Sequence, residues 1–251
     1  MQSPILRASC MALSISLVLN QAIAQPASQA IEIITVSATP ISIDDAGSSV
    51  SVISRQDILD RNAASVQDLL REVPGFSVSQ QGSHGAVSQV RIRGAEANQV
   101  LVLINGIEVN DLAQGSEFDF SQISTNDIER IEIVRGPQSA LWGSDAMAGV
   151  IHIITMPNTD HGSFDASIES GSFSTQRATF SANHGSSRHQ AKFSVDYLDS
   201  DGTNIARSGS EDDGLENLTL SLAGRYATSD NLSRTSTIRH TDKTSEFDVI
   251  D

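Results

Sequence analysis

The first half of the chain alternates between short apolar runs and polar breaks. The segments "SSVSVIS", "QVRIRG" and "VLVLINGIEVN" have the apolar pattern of strands. The last contains Asn105-Gly106, a pair that favours a tight hairpin because both residues tolerate the positive φ angles of its turn. Between the strands, "SVQDLLREVPG" predicts a helix that starts after Ser65, with Asp68 three residues on, and stops at Pro74-Gly75. This pattern predicts a compact α+β domain of about 110 residues.

The end of this domain combines two strand-like runs with a group of small residues. "STNDIERIEIVRG" predicts a short capped helical turn from about Ser124, followed by a strand. The chain continues as "GPQSALWGSDAMAGVIHIIT", where glycine and alanine permit close backbone approach and Trp142 adds one large apolar wedge. We therefore expect Trp142 to be structural and not to bind a ligand.

After His161 the chain changes to strands with one apolar and one polar face. The two residue classes alternate in "FDASIES", "QAKFSVDYL" and "NLTLSLAGRY", and "ATFSAN" and "LSRTSTIRH" are weaker copies. Strands of about ten residues with this alternation are typical of outer-membrane barrels. A half-solvated soluble sheet alternates in the same way, so the pattern alone leaves both architectures open.

The amino terminus indicates export. Arg7 precedes an apolar run that ends at Leu19, and small residues around Ala24 form a cleavage site, so residues 1–24 are predicted to be a secretory signal peptide. The single cysteine, Cys10, lies in that segment, and a lipoprotein attachment there is disfavoured because the apolar run follows it. An exported chain without further cysteines favours the barrel interpretation of the later strands.

Residues 25–45 are predicted to be a flexible leader. They contain the β-prone stretch from Glu32 to Ala38, which suits strand addition to the sheet edge of another protein. An ordinary first strand of the following domain is the alternative, and this segment alone does not decide between the two.

Charge and motifs exclude several function classes. The 251 residues carry a formal net charge of −15, which argues against a nucleic-acid partner. The sequence has no nucleophile elbow, zinc-protease motif or phosphate loop, and its six histidines are scattered. We therefore expect a protein that is not an enzyme.

The segments "VRIRG", "VLVLINGIEVN" and "IERIEIVRGPQSALWGSDAMAGVIHIIT" together resemble the plug domain of TonB-dependent outer-membrane receptors, and most of all the cobalamin receptors of that family. The resemblance extends from Ile33 to about Tyr226. It implies an α+β plug domain at residues 46–157, followed at residues 161–251 by antiparallel strands of an incomplete transmembrane β-barrel. A barrel that holds a plug needs about 22 strands, so we expect residues 161–251 to be the start of a truncated barrel.

The resemblance also implies roles for individual residues. "IEIITVSAT" is similar to the TonB box, which binds the periplasmic protein TonB; the matching positions are Glu32, Ile33, Ile34, Thr35, Val36, Ser37 and Ala38. Arg93 and Arg135 match arginines that latch the plug to acidic groups of the barrel wall. The acidic loop "DSDGTNIARSGSEDDG" matches a calcium-binding loop, with Glu211 and Asp213 as ligands and Asn204 where the family has a carboxylate.

Together these features predict a receptor in the outer membrane that imports a scarce ligand with energy delivered through TonB. The resemblance implies cobalamin as the ligand and no cofactor other than calcium in the acidic loop, for which a loop without a bound ion is the alternative. An iron-siderophore or haem receptor of the same architecture is one alternative, and a non-transporting, plug-like periplasmic binding module is another. The loops expected to choose the ligand, near Gln80 to Val87 and Asn110 to Ser116, carry no chemistry specific to cobalamin.

Overall fold

The computed structural model describes residues 33–34, 41–42, 47–63, 65–83, 85–156, 161–186, 188–204, 213–229 and 232–246. Its α-helices are α1 (Arg55–Asp60), α2 (Val66–Arg71) and α3 (Ser139–Trp142). Short 3-10 turns span Ala97–Gln99, Leu112–Gln114, Phe120–Gln122 and Ser144–Ala146. No helix in these ranges is long and apolar enough to cross a membrane.

The strands divide into two groups along the chain. The first group is β1 (Ile33–Ile34), β2 (Ile41–Ser42), β3 (Ser49–Ser54), β4 (Phe76–Gln80), β5 (Ser88–Ile92), β6 (Val100–Ile104), β7 (Ile107–Glu108), β8 (Arg130–Arg135) and β9 (Gly149–Ile154). The second group is β10 (Ser163–Ser170), β11 (Gln176–Gly185), β12 (His189–Ser200), β13 (Leu215–Ser229) and β14 (Leu232–Ser245). Residues 47–156 are called the plug below, and β10–β14 the wall sheet.

The plug is built on a mixed sheet with the strand order β3-β8-β9-β6-β7, in which only β6 and β9 run parallel. β6 and β9 are buried along their whole length, as expected for continuous apolar strands at the centre of a sheet. One face packs on the buried side chains of α1 and α2. Trp142 packs on the opposite face beside Leu101, Val134 and Val150, which supports its predicted structural role.

Most of the predicted local structure of the plug is present. The hairpin turns at Asn105-Gly106 with φ angles of 51° and 83°, as predicted. Helix α1 was not predicted, and it starts with a reciprocal capping box between Ser54 and Asp57. The predicted capped turn at Ser124 is present, with Asn126 N–H donating to Ser124 Oγ at 3.2 Å, but it does not continue as a helix. The chain there makes a single turn closed by Ile128 N–H donating to the carbonyl of Thr125 at 3.2 Å.

The wall sheet is a continuous antiparallel meander in which each strand pairs with the next. Along β12 and β13 most of the buried positions are polar, such as Ser194, Asp196 and Thr219, whereas Phe193 and Leu222 are exposed. A soluble sheet has the opposite arrangement, with its apolar face covered. Apolar side chains that point outward and polar ones that point inward are the pattern of a membrane barrel. The predicted fold class is therefore confirmed, with the sheet open among the described residues.

Candidate functional site

One segment of the plug, residues 119–128, lies against the polar face of the wall sheet and is called the docking loop. The hydroxyl of Ser124 donates to Asp196 Oδ2 at 2.5 Å and accepts from Arg177 Nη2 at 2.5 Å. Arg177 of β11 and Asp196 of β12 form an ion pair of 2.7 Å, and both side chains are almost fully covered. Charge-assisted bonds of this kind are short and directional, so they fix the position of Ser124 on the wall.

Asp127 makes the second contact of the docking loop and meets two cations of the wall. Its Oδ2 accepts from Arg239 Nη1 of β14 at 2.8 Å, and its backbone carbonyl accepts from Lys192 Nζ of β12 at 2.8 Å. Asp127 and Lys192 are both buried. Because a buried charge is strongly destabilising unless it is paired and hydrogen-bonded, these partners favour one seated position of the plug.

Further hydrogen bonds extend the contact along β14 and brace the loop from behind. Lys243 Nζ donates to Ser121 Oγ at 2.6 Å, and Asn105 Nδ2 in the plug hairpin donates to Thr237 Oγ1 at 3.1 Å. On the plug side, Arg55 of α1 donates to two backbone carbonyls of the docking loop, at 2.9 and 3.2 Å. The docking loop is therefore held by the wall on one side and by the plug's own helix on the other.

The predicted latch arginines lie elsewhere on the plug. Arg93 N–H donates to the carbonyl of Gly75 at 2.7 Å, and Arg135 donates to the carbonyl of Pro74 at 2.9 Å and to Ser51 Oγ at 2.7 Å. Both arginines therefore meet the turn that follows α2. Burial and the nearby charge of Arg93 lower the pKa of Arg135. Within the described ranges neither guanidinium pairs with a carboxylate of the wall, so the latch stays a prediction.

Two residues of the predicted TonB box fall within the described ranges. Ile33 and Ile34 form β1, which pairs antiparallel with Ile41 and Ser42 of β2. Glu32 and the remaining positions, Thr35, Val36, Ser37 and Ala38, lie outside the described residues. The described part has the extended backbone that strand addition uses, and its binding to TonB stays a prediction.

The ends of the acidic loop meet at a narrow neck. A Cβ atom on Gly202 would overlap the backbone carbonyl of Asp213, and Gly202 has a φ of 71°, so this position requires glycine. Glu211 lies outside the described residues, whereas Asn204 and the buried Asp213 lie within them. The described residues contain no group of three His, Cys, Asp or Glu that could hold a metal. Two side chains fall short of the six to eight oxygens that calcium takes, so calcium binding stays a prediction.

A cavity of about 340 Å³ opens beside the neck on the inner side of the wall sheet, and is called the rim cavity. Its lining includes Phe173 in the β10–β11 turn, Leu198 of β12 and Arg177 of β11. Arg177 also donates to Ser124, so the rim cavity and the docking site share a residue. The first predicted ligand loop reaches the same end of the wall, because a Cβ on Gly85 would lie 2.7 Å from Leu215 Cδ1 at the start of β13.

Comparison with known proteins assigns the fold to a family. The family model "TonB-dependent Receptor Plug Domain" matches residues 42–150. Over 133 residues the chain is 43% identical to the vitamin B12 transporter BtuB of Vibrio vulnificus (strain CMCP6), an alignment that spans 53% of the chain and 22% of that relative. The chain therefore spans about a fifth of the length of this relative.

Solved structures share the fold at lower identity. The siderophore receptor PirA from Acinetobacter baumannii aligns with a TM-score of 0.62 at 22% identity, over 79% of this chain and 32% of that one. The ferripyoverdine receptor of the outer membrane of Pseudomonas aeruginosa aligns with a TM-score of 0.68 at 16% identity, over 84% of this chain and 27% of that one. At these identities the likeness shows the fold alone.

The predicted recognition and localisation are both confirmed by these comparisons. The family consists of transport receptors and is not a class of enzymes. Residues 42–150 are therefore a plug domain of the kind found in TonB-dependent receptors.

Proposed function

We propose that the protein is an import receptor that takes up cobalamin with energy delivered by TonB, and that it performs no covalent chemistry on its ligand. This proposal rests on the contacts that hold the plug against the wall sheet. Ser124 and Asp127 are fastened to charged side chains on the polar face of the wall sheet, so the plug occupies the place where a ligand would pass. Such a seat is useful to a transporter because it closes the passage until the plug is displaced.

Energy enters at the amino terminus in this proposal. Strand addition at the TonB box lets TonB bind the main chain of this segment through hydrogen bonds. The pulling force of TonB is then transmitted along the leader to β3. β3 is an edge strand of the plug sheet, whereas the docking loop is bonded to the wall. Remodelling is therefore expected to begin at β3, while Asp127 stays in its seat.

Electrostatics at the rim favour cobalamin over an iron chelate. Glu169, Asp199 and Asp201 lie where the wall strands end beside the neck, and the loop that follows adds further carboxylates in sequence. Two cations near this end, Arg177 and Lys243, already bind plug groups. A mouth with this excess of carboxylates repels polyanionic ferric chelates and tolerates a neutral, amide-rich ligand. The relative named a vitamin B12 transporter supports the same choice.

The remaining alternatives have less support. The solved siderophore receptors are similar in fold only, so they do not argue for an iron chelate or haem. A periplasmic binding module does not fit a sheet whose outer face exposes Phe164, Phe193 and Leu222.

The latch at Arg93 and Arg135 is part of this proposal. Two neighbouring guanidinium groups repel each other, and each retains donors that would suit the fork geometry of a carboxylate. A pair of acidic groups on the wall would relieve that repulsion and give the plug a second attachment in addition to the docking loop.

Radiolabelled cyanocobalamin tests the function in cells that express the protein. Wild type should bind and import the label. Val36→Pro should bind it but not import it, because proline removes a main-chain donor from the added strand. Val36→Ala keeps that donor and serves as the matched control, with import expected. Import by Val36→Pro at the wild-type rate would remove the TonB box from this segment, and absence of binding by wild type would remove cobalamin as the ligand.

A further inference from the structure

The turn between β10 and β11 has a strained backbone at the mouth of the rim cavity. Phe173 and Ser174 occupy its two central positions with φ angles of 56° and 52°. The turn is closed by Thr175 N–H donating to the carbonyl of Ser172 at 3.1 Å. Such turns normally carry Asn-Gly or Gly-Gly, because a bulky side chain is disfavoured at positive φ. An aromatic residue with a positive φ angle is an outlier, and outliers of this kind are concentrated at functional sites such as ligand-binding sites.

The strained turn is also fastened to the neighbouring strand end. The carbonyl of Phe173 accepts from Asp201 N–H at 3.0 Å and from Ser200 Oγ at 3.4 Å. The hydroxyls of Thr175 and Ser200 lie 2.7 Å apart. These bonds hold the backbone of Phe173 in place, although its side chain is 58% exposed. An exposed ring on a rigidly held backbone is pre-organised for contact, so it loses little conformational entropy when a ligand binds.

The rim cavity below the ring has a mixed lining. Phe173 and Leu198 supply apolar surface, Thr175 and Ser200 supply hydroxyls, and Glu169 and Arg177 supply charges. Arg177 is engaged by Asp196 at 2.7 Å, so its charge is compensated within the wall. A volume of about 340 Å³ is at the lower end for ligand pockets and suits one ring-sized group rather than a whole cofactor-sized ligand.

We propose that the rim cavity is a ligand subsite in which the ring of Phe173 packs on a flat, apolar ring face of the ligand. The carboxylate of Glu169 and the hydroxyls of Thr175 and Ser200 accept hydrogen bonds from neutral amide groups at the edge of that ring. The ligand class is thus a neutral macrocycle with amide substituents, and the subsite disfavours anionic catecholate or hydroxamate complexes because of Glu169. This inference rests on the proposed function and deepens it.

The position of Arg177 gives the subsite a second consequence. Arg177 lines the rim cavity and donates to Ser124 of the docking loop. A ligand amide carbonyl that accepts from Arg177 competes with the Ser124 hydroxyl for the same guanidinium. Ligand binding in the subsite is therefore expected to weaken the hydrogen bond from Arg177 to Ser124, which helps to hold the plug.

Cyanocobalamin binding to the purified receptor, measured by equilibrium dialysis, tests the subsite with three variants. Phe173→Asn removes the ring and keeps the turn, because asparagine tolerates positive φ. Phe173→Tyr keeps the ring, and Ser174→Gly relaxes the turn without changing the ring. We expect affinity to fall about tenfold in Phe173→Asn, the size of one lost ring contact, and to stay at the wild-type value in the other two. Thermal unfolding of Phe173→Asn should match wild type or exceed it.

Each outcome bears on the inference. Wild-type affinity in Phe173→Asn would overturn the subsite and leave cobalamin transport intact. An equal loss in Ser174→Gly would show that turn rigidity matters and the ring contact does not, which also overturns it. Failure of the wild-type receptor to bind cyanocobalamin would overturn the proposed ligand, and the subsite with it.

Discussion

Replacing Asp127 by Asn tests whether ion pairs seat the plug. The substitution preserves shape and removes the charge that faces Arg239 at 2.8 Å. The two side chains are 6% and 16% exposed, so water screens the pair weakly. Removing one partner of a buried pair costs about 3–5 kcal/mol. Because the amide oxygen of Asn can still accept from Arg239, we expect the lower value typical of a charged hydrogen bond, about 2–3 kcal/mol.

Hydrogen exchange in the detergent-solubilised receptor measures this loss. Amides of the docking loop and β8 should exchange about 30- to 150-fold faster in Asp127→Asn, which corresponds to the same free energy. Glu72→Gln is the matched control, since it breaks the Arg61–Glu72 pair of 3.2 Å whose side chains are 39% and 62% exposed. That exposed pair should contribute less than about 1 kcal/mol.

A double-mutant cycle with Arg239→Met completes the test. If the ion pair seats the plug, the two substitutions will be strongly non-additive, because the second removes the charge that the first leaves unpaired. Exchange in Asp127→Asn no faster than in Glu72→Gln would refute the seating argument.

Three further predictions concern the plug and the acidic loop. A hydrogen bond from the Ser54 hydroxyl lowers the pKa of Asp57 below its ordinary 3.8, so its stabilising effect exists above that pH and is lost as pH falls through the folded pKa. Thermal unfolding should therefore separate Asp57→Asn from wild type at pH 7 and bring them together in acid. Gly149→Ala places a Cβ 2.5 Å from the carbonyl of Val134 and should cost about 1–3 kcal/mol in urea unfolding, whereas Gly47→Ala, with nothing within 4 Å, should not. Calcium should strengthen cyanocobalamin binding by chelator-treated wild type but not by Asp213→Asn, and calorimetry without calcium uptake would contradict that site.

Local patterns were sufficient to predict much of the fold. The hairpin at Asn105-Gly106 and the alternating strands of the wall follow from residues that are neighbours in sequence. Helix α1 was missed because it begins directly after β3, with Ser54 serving as both strand end and N-cap. The turn at Ser124 was predicted from its local capping pattern, but the bonds of the same hydroxyl to Arg177 and Asp196 of the wall could not be.

Local sequence patterns could not predict the contacts between the docking loop and the wall sheet. Alternation placed Lys192 and Asp196 on the polar face of a strand, but it carried no information on which plug group each would meet. The partners Ser124 and Asp127 are 72 and 65 residues away in sequence, respectively, from the wall residues that bind them. Contacts of that range depend on the register of five strands and the seat of a separate domain. The same limit explains why Phe173 was not identified, because its role depends on a turn conformation and a neighbouring strand end.

The neck at Gly202 has a meaning for how such receptors diversify. Its contact with Asp213 brings both ends of the acidic loop to one point of the wall. Doubling the length of a loop with fixed ends costs only about 0.6 kcal/mol, so insertions and deletions between these ends are thermodynamically cheap. The strands that carry Arg177, Lys192 and Asp196 can then keep their sequence while the loop drifts. The contribution of the loop carboxylates to selectivity can therefore evolve separately from plug retention, and an exchange of loops between homologues at Gly202 and Asp213 would transfer that contribution without disturbing the docking loop.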